Sequence, residues 1–182
     1  MSGNPVPQPA VDRMVPFAGH PVLVGVVPDQ DPLVVRTAVA MASALRAPSL
    51  HLAYADPGRY PVAERSDGTV RHASFDPDAD DDGWRDLETL LTAQVGRAVA
   101  DEVPWRFTYL AGRPDRALTH LARAVDASMI VVGTRPPGST ARIKEFVEGS
   151  VAAHLAHHQH RPVLTVPLGV VDWKELRTPW ER

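Results

Sequence analysis

The sequence predicts an α/β fold: one doubly wound domain with a five-stranded parallel sheet and helices on both faces. Two observations carry this. Five short runs rich in small, β-branched or aromatic residues recur along the chain, at 21–27, 49–55, 105–110, 128–133 and 162–167. Stretches with apolar residues at helical spacing lie between them, and that alternation is the pattern of parallel strands joined by crossover helices. At 182 residues, a single domain buries enough surface to be stable.

"PVLVGVV" (21–27) suits a strand buried on both faces. Asp31 then reads as a helix N-cap with Pro32 at the first helical position. Val34, Val35, Ala38, Val39, Ala42 and Leu45 form the apolar stripe of that first helix. "SLHLAYA" (49–55) reads as the second strand. Residues 56–83 are crowded with Pro, Gly and Asp and read as a long acidic loop. From Trp84 the helical period returns through Leu87, Leu90, Leu91, Val95 and Val99, with Asp82 as the expected cap.

"WRFTYL" (105–110) alternates, placing Trp105, Phe107 and Tyr109 on one side of a third strand. A helix follows, with Asp115 as its expected N-cap and Leu118, Leu121, Ala122 and Val125 facing inward. "SMIVVG" (128–133) is the fourth strand, a helix is expected over about 150–158, and "PVLTVP" (162–167) is the last strand. The domain is bounded at 21–168. Residues 1–20 form a Pro-rich arm in which fixed φ and missing donors disfavour regular structure, and 169–182 form a C-terminal tail.

Composition excludes several classes of function. The formal net charge is −3, so there is no basic excess to condense on nucleic acid or anionic lipid. Cysteine is absent, which removes disulfides and thiolate chemistry. No segment is apolar and long enough to span a membrane, and the start lacks a secretory signal; a cytoplasmic protein is expected.

Three stretches carry a family resemblance: "VLVGVV" followed by a helix, "AGRPDRALTHLARAVDASMIVVGTR", and "GSVAAHLAHHQHRPVLTVP". With their order and spacing, residues 21–167 resemble the universal stress protein family. The resemblance implies strand order 3-2-1-4-5, a homodimer through the last strand, and a stress-response binding or signalling role. It also implies an adenine nucleotide, ATP foremost, in the crevice where strand order reverses. The implied contacts are Gly133, Gly149, Ser150 and Val151 at the phosphates, with Val27, Tyr54 and Gly112 flanking the nucleoside.

The loop after the fourth strand departs from the family pattern G-x2-G-x9-G-[ST]. Gly133 and Gly149-Ser150 remain, but Pro136 occupies the second glycine's place and Gly138 comes two residues late. The acidic residue that relatives carry after the first strand is replaced by Val27, with Asp29 two residues on. Losing a carboxylate contact and one amide costs about 3–5 kcal/mol, enough to turn a roughly micromolar site into a roughly millimolar one. Arg135, Arg142 and Lys144 bring compensating charge, and Arg135 in particular has the geometry to grip phosphate. Two readings therefore stand: a nucleotide loop, or a plain connection with Ser150 capping the last helix. In the second case the domain is a nucleotide-free interaction module. A slow nucleotide hydrolase is a further alternative, although no catalytic residue is assigned.

Two other clusters call for weighing. Asp78, Asp80 and Asp82 with Gly83 imitate a calcium loop, but Thr89 stands where the bidentate Glu belongs. His154 and His158 are spaced for one helix face without an evident third ligand. No metal is assigned to either.

Overall fold

The computed structural model describes residues 10–76, 82–134 and 151–169. In chain order the elements are β1 (Val22–Gly25), α1 (Leu33–Leu45), β2 (Leu50–Asp56), β3 (Arg59–Glu64), β4 (Val70–Ser74), α2 (Gly83–Val99), β5 (Trp105–Ala111), α3 (Pro114–Ala124), β6 (Met129–Gly133), α4 (Val151–His158) and β7 (Val163–Val166). Five strands form one sheet in the order β5-β2-β1-β6-β7, all parallel. Numbering only these five gives 3-2-1-4-5, the expected order. Residues 10–20 hold a single exposed 3₁₀ turn, Val11–Arg13, after which Phe17 packs against the core.

The period-2 alternation of strand side chains divides the core in two. Val22, Val24, Leu50, Leu52, Met129 and Val131 point to the side covered by α1 and α2, where they meet Val34, Ala38, Val95 and Val99. Leu23, Ala53, Leu110, Ile130 and Val132 point to the other side and meet Leu118, Leu121 and Leu155 of α3 and α4. Each fully buried Val or Leu contributes about 1.5–3 kcal/mol relative to exposure. A one-residue slip in any central strand would exchange the two sets, so the register is firmly specified.

Helix ends follow the sequence in part. At α1 the cap position is held by Pro32 rather than Asp31, and the Asp31 carboxylate one residue earlier accepts from the Leu33 N–H at 2.8 Å. Asp115 does not cap α3: Arg113 holds the cap position, Pro114 is the first residue, and Asp115 sits in the first turn. There its carboxylate still favours the positive end of the helix dipole. Asp82 holds the cap position of α2 as expected, without a side-chain cap bond, and its carboxylate pairs with Arg85.

The reading of 56–83 as a continuous loop is corrected. β3 and β4 form an antiparallel hairpin, Arg59 pairing with Ser74 and Glu64 with Val70. Its turn is made by Asp67 and Gly68: the Asp67 carboxylate accepts from the Thr69 N–H at 3.0 Å, and Gly68 has φ +81. The density of Pro, Gly and Asp hides the strands, yet Asp-Gly between "RYPVAE" and "TVRHAS" is a strong short-range hairpin signal. The hairpin rests on α3, where Gly68 lies against Leu121 and Ala124 and the His120 ring meets Glu64 at 3.1 Å. Residues 77–81 lie outside the described residues, so the calcium-loop reading is not placed.

Candidate functional site

The strand order reverses between the carboxyl ends of β1 and β6, which is where the crevice was expected. On the β1 side the chain passes Val27, which is 41% exposed, and turns at Asp29, whose φ is 56. Gln94 of α2 ties this turn down twice. Its Nε2 donates to the Val27 carbonyl at 3.1 Å, and its Oε1 accepts from the Asp29 N–H at 3.1 Å. The β1–α1 turn is thus held against α2, a contact that sequence reading missed because the two partners are 67 residues apart.

On the β6 side, Gly133 faces a filled space. A Cβ there would lie 2.9 Å from Gln30 Nε2, from Leu168 Cδ1 and from Val34 Cγ2. The absence of a side chain at 133 is a packing requirement of α1 and of the segment after β7. Thr134 completes this corner, its N–H donating to Val166 O at 2.8 Å while its Oγ1 accepts from the Leu168 N–H at 2.8 Å.

Tyr54 lies on the α1/α2 side of β2, its ring edge-on to Tyr109 at 5.5 Å. Burial, then the nearby Asp56 charge, pushes its phenol up to about 12. Tyr109 donates to Asp56 Oδ2 at 2.6 Å and is raised further, by burial first and then by that bond. The same group gathers the hairpin and α2: His72 packs edge-on to Trp84 at 4.7 Å, and Arg59, only 6% exposed, donates from Nε to His72 Nδ1 at 2.7 Å. Tyr54 therefore belongs to an aromatic cluster that anchors the hairpin.

Gly112 and Val151 do come together. They line one shallow recess of about 70 Å³ with Arg113, Asp115 and His154. Gly112 has φ +91, and its N–H donates to Asp56 O at 2.9 Å, which binds the end of β5 to that of β2. Arg113 grips Asp115 through two bonds, Nε to Oδ1 at 3.2 Å and NH2 to Oδ2 at 2.9 Å. Burial opposes charge on Asp115, but the hydrogen bond and charge of Arg113 outweigh it and hold the carboxyl below its ordinary range. His154 Nδ1 stands 3.2 Å from Arg113 NH2 and 3.4 Å from Asp115 Oδ2. That nitrogen accepts from the guanidinium when unprotonated, or donates to the carboxylate when protonated. His158 packs edge-on to His154 at 5.9 Å. Among the described residues no group of three or more His, Cys, Asp or Glu is placed to hold a metal.

Of the remaining expected contacts, Arg135, Gly138, Gly149 and Ser150 lie outside the described residues, as do Pro136, Arg142 and Lys144. Among the expected contacts that are described, Gly112 and Val151 share the recess, whereas Tyr54 lies in the aromatic cluster and Val27 and Gly133 lie at the β1 and β6 tips.

Comparison with known proteins bears on this architecture. Among proteins of curated function, none matches the sequence. Several solved structures share the fold. The universal stress protein of Archaeoglobus fulgidus in complex with dAMP is 20% identical, with a TM-score of 0.55, covering 81% of this chain and 97% of its own. A universal stress protein in complex with cAMP is 24% identical, with a TM-score of 0.52, covering 84% and 99%. A family member from Burkholderia pseudomallei is 19% identical, with a TM-score of 0.54, covering 85% and 98%. The sequence profile of the Universal stress protein family matches residues 19–167, most of the chain. With the sheet order described above, this match establishes that the chain belongs to the universal stress protein family.

Proposed function

We propose that the chain is a cytoplasmic stress-response protein that binds an adenine nucleotide at the carboxyl ends of its strands and acts as a homodimer. The observation that carries the nucleotide reading is that two proteins of this fold are described in complex with dAMP and cAMP. The recess formed by Gly112 and Val151 is consistent with it, since Val151 begins α4 directly after Gly149-Ser150. In this reading the amides of Gly149, Ser150 and Val151 meet the phosphates, as backbone donors at a helix start do. Arg135 and Gly138 complete the loop, while Gly133 and Val27 border it.

The homodimer reading is supported by the sheet's two edges. The hairpin packs against β5 at one edge, whereas β7 at the other pairs only with β6 among the described residues. An open edge strand invites pairing with another copy. Sedimentation at micromolar concentration is expected to give twice the 19.8 kDa chain mass; a strictly monomeric species would rule the dimer out. For the compartment, among the described residues no helix is long and apolar enough to cross a membrane.

Calorimetric titration with ATP, dAMP and cAMP tests the nucleotide reading. Saturable binding with a Kd between about 1 μM and 1 mM is expected, abolished by Gly149→Glu. A second reading, a nucleotide-free interaction module, is favoured by the filled space at Gly133. It predicts no saturable heat at millimolar nucleotide.

A further inference from the structure

The hairpin β3–β4 brings an aromatic side chain to the recess beyond Gly112. Phe75, just after β4, lines the same cavity as Gly112, Arg113, Val151 and His154, and it is 62% exposed. Its position is fixed rather than trailing. The Phe75 N–H donates to Gly58 O at 3.2 Å, closing the base of the hairpin, and its ring lies 5.0 Å from that of Tyr60 at a 43° tilt. Pro61 of the hairpin reaches Gly112, its Cδ 3.4 Å from where a Cβ would be. The hairpin and the end of β5 therefore form one unit at this recess.

We propose that Phe75 is the stacking wall for the base of the bound nucleotide, so that the hairpin contributes a specificity residue to the site. The inference rests on the adenine-nucleotide reading above and adds a residue to it. Three features of the recess point to a flat ring. Its lining is largely apolar where Phe75 stands, since Pro57 and Pro114 share that lining. Arg113 is already neutralised by two bonds to Asp115, which leaves it a poor partner for a highly charged group. The volume, about 70 Å³, is well below the roughly 300–1,000 Å³ of sites that enclose a whole ligand, so only one part of the nucleotide enters it. A base face against an exposed aromatic ring meets all three conditions, and the phosphates then extend past Val151. Stacking alone tolerates any base, so purine over pyrimidine is set by ring area, with no hydrogen-bond code from Phe75.

The test compares ATP, CTP and inorganic triphosphate on the wild-type chain and on Phe75→Ala, Phe75→Trp and Val62→Ala. Val62 is exposed on the same hairpin but does not line the recess. Phe75→Ala is expected to weaken ATP roughly 5- to 100-fold, the range for removing a ring from a stacked base, and to leave triphosphate unchanged. Phe75→Trp is expected to retain ATP affinity, and Val62→Ala to match wild type. Equal ATP affinity in wild type and Phe75→Ala would overturn the stacking wall while the nucleotide reading stands. An equal loss for ATP and triphosphate would likewise overturn it, by marking a general disturbance of the site. Absence of ATP binding by the wild-type chain would sink the nucleotide reading and the stacking wall together.

Discussion

At the scale of single residues, Gly133 illustrates how one sequence signal can carry a different meaning in the fold. A glycine at the end of a strand reads as room for a phosphate to approach. In the folded chain it is the point where Gln30, Val34 and Leu168 converge. The Gln30 amide can swing aside, but Val34 is stiff at χ1 and sits in the first turn of α1. Gly133→Ala is therefore expected to destabilise the protein by about 1–3 kcal/mol through overpacking. Urea denaturation measures this, and an unchanged midpoint would refute the packing account. Gln94 is a second single-residue case. Gln94→Ala removes both bonds that hold the β1–α1 turn, at an expected cost of about 1–2 kcal/mol. The same experiment reads it, and faster amide exchange at Asp29 should accompany it.

At the scale of elements, the hairpin is the feature that separates this chain from a plain five-stranded sheet. Its turn depends on Gly68, which combines φ +81 with a position where a Cβ would lie 2.7 Å from Leu121 Cδ1 and 2.9 Å from Ala124 Cβ. Gly68→Ala is expected to cost about 2–3 kcal/mol, from the left-handed backbone and the contact with α3 together. The loss should appear as protease sensitivity within 59–74 before global unfolding; uniform resistance would contradict it. The hairpin was legible in principle, since Asp67-Gly68 sits between two runs of strand formers. It was obscured by Pro61 and by the acidic residues that follow. By contrast, β1 and β6 were legible because their β-branched runs are buried on both faces, and β5 because its aromatic residues alternate. The cap of α3 was misplaced at Asp115 because an acidic residue suits the first turn of a helix nearly as well as its cap, whereas Asp82 does hold the cap position of α2.

At the scale of the whole molecule, two phenols, half-buried Tyr54 and buried Tyr109, set the response to alkali. Tyr54 ionises only near about 12, and Tyr109 is shifted upward as well. In the unfolded chain both ionise near 10. Their raised folded values mean that the unfolded state loses protons first, so stability is full below about pH 10 and declines as pH rises toward 12. Denaturation midpoints at pH 9 and pH 11 should show this fall, and Tyr109→Phe should flatten it; an equal slope in the variant would contradict the assignment. Asp115 acts at the other extreme. Its depressed value gives a contribution present above the ordinary carboxylate range and lost as pH falls through the lowered one.

The sequence alone determined the fold class, through local periodicity and apolar composition that need no knowledge of distant neighbours. The strand order was what the family resemblance implied, and the structure has that order. Tertiary structure decided what the individual site residues do. Tyr54 joined the hairpin's anchor, Gly133 became a packing point, and Gly112 met Val151 across a recess that also holds Phe75. Each of these depends on contacts between segments far apart in the chain, and the spacing of residues along one segment carries no information about which others will close around it.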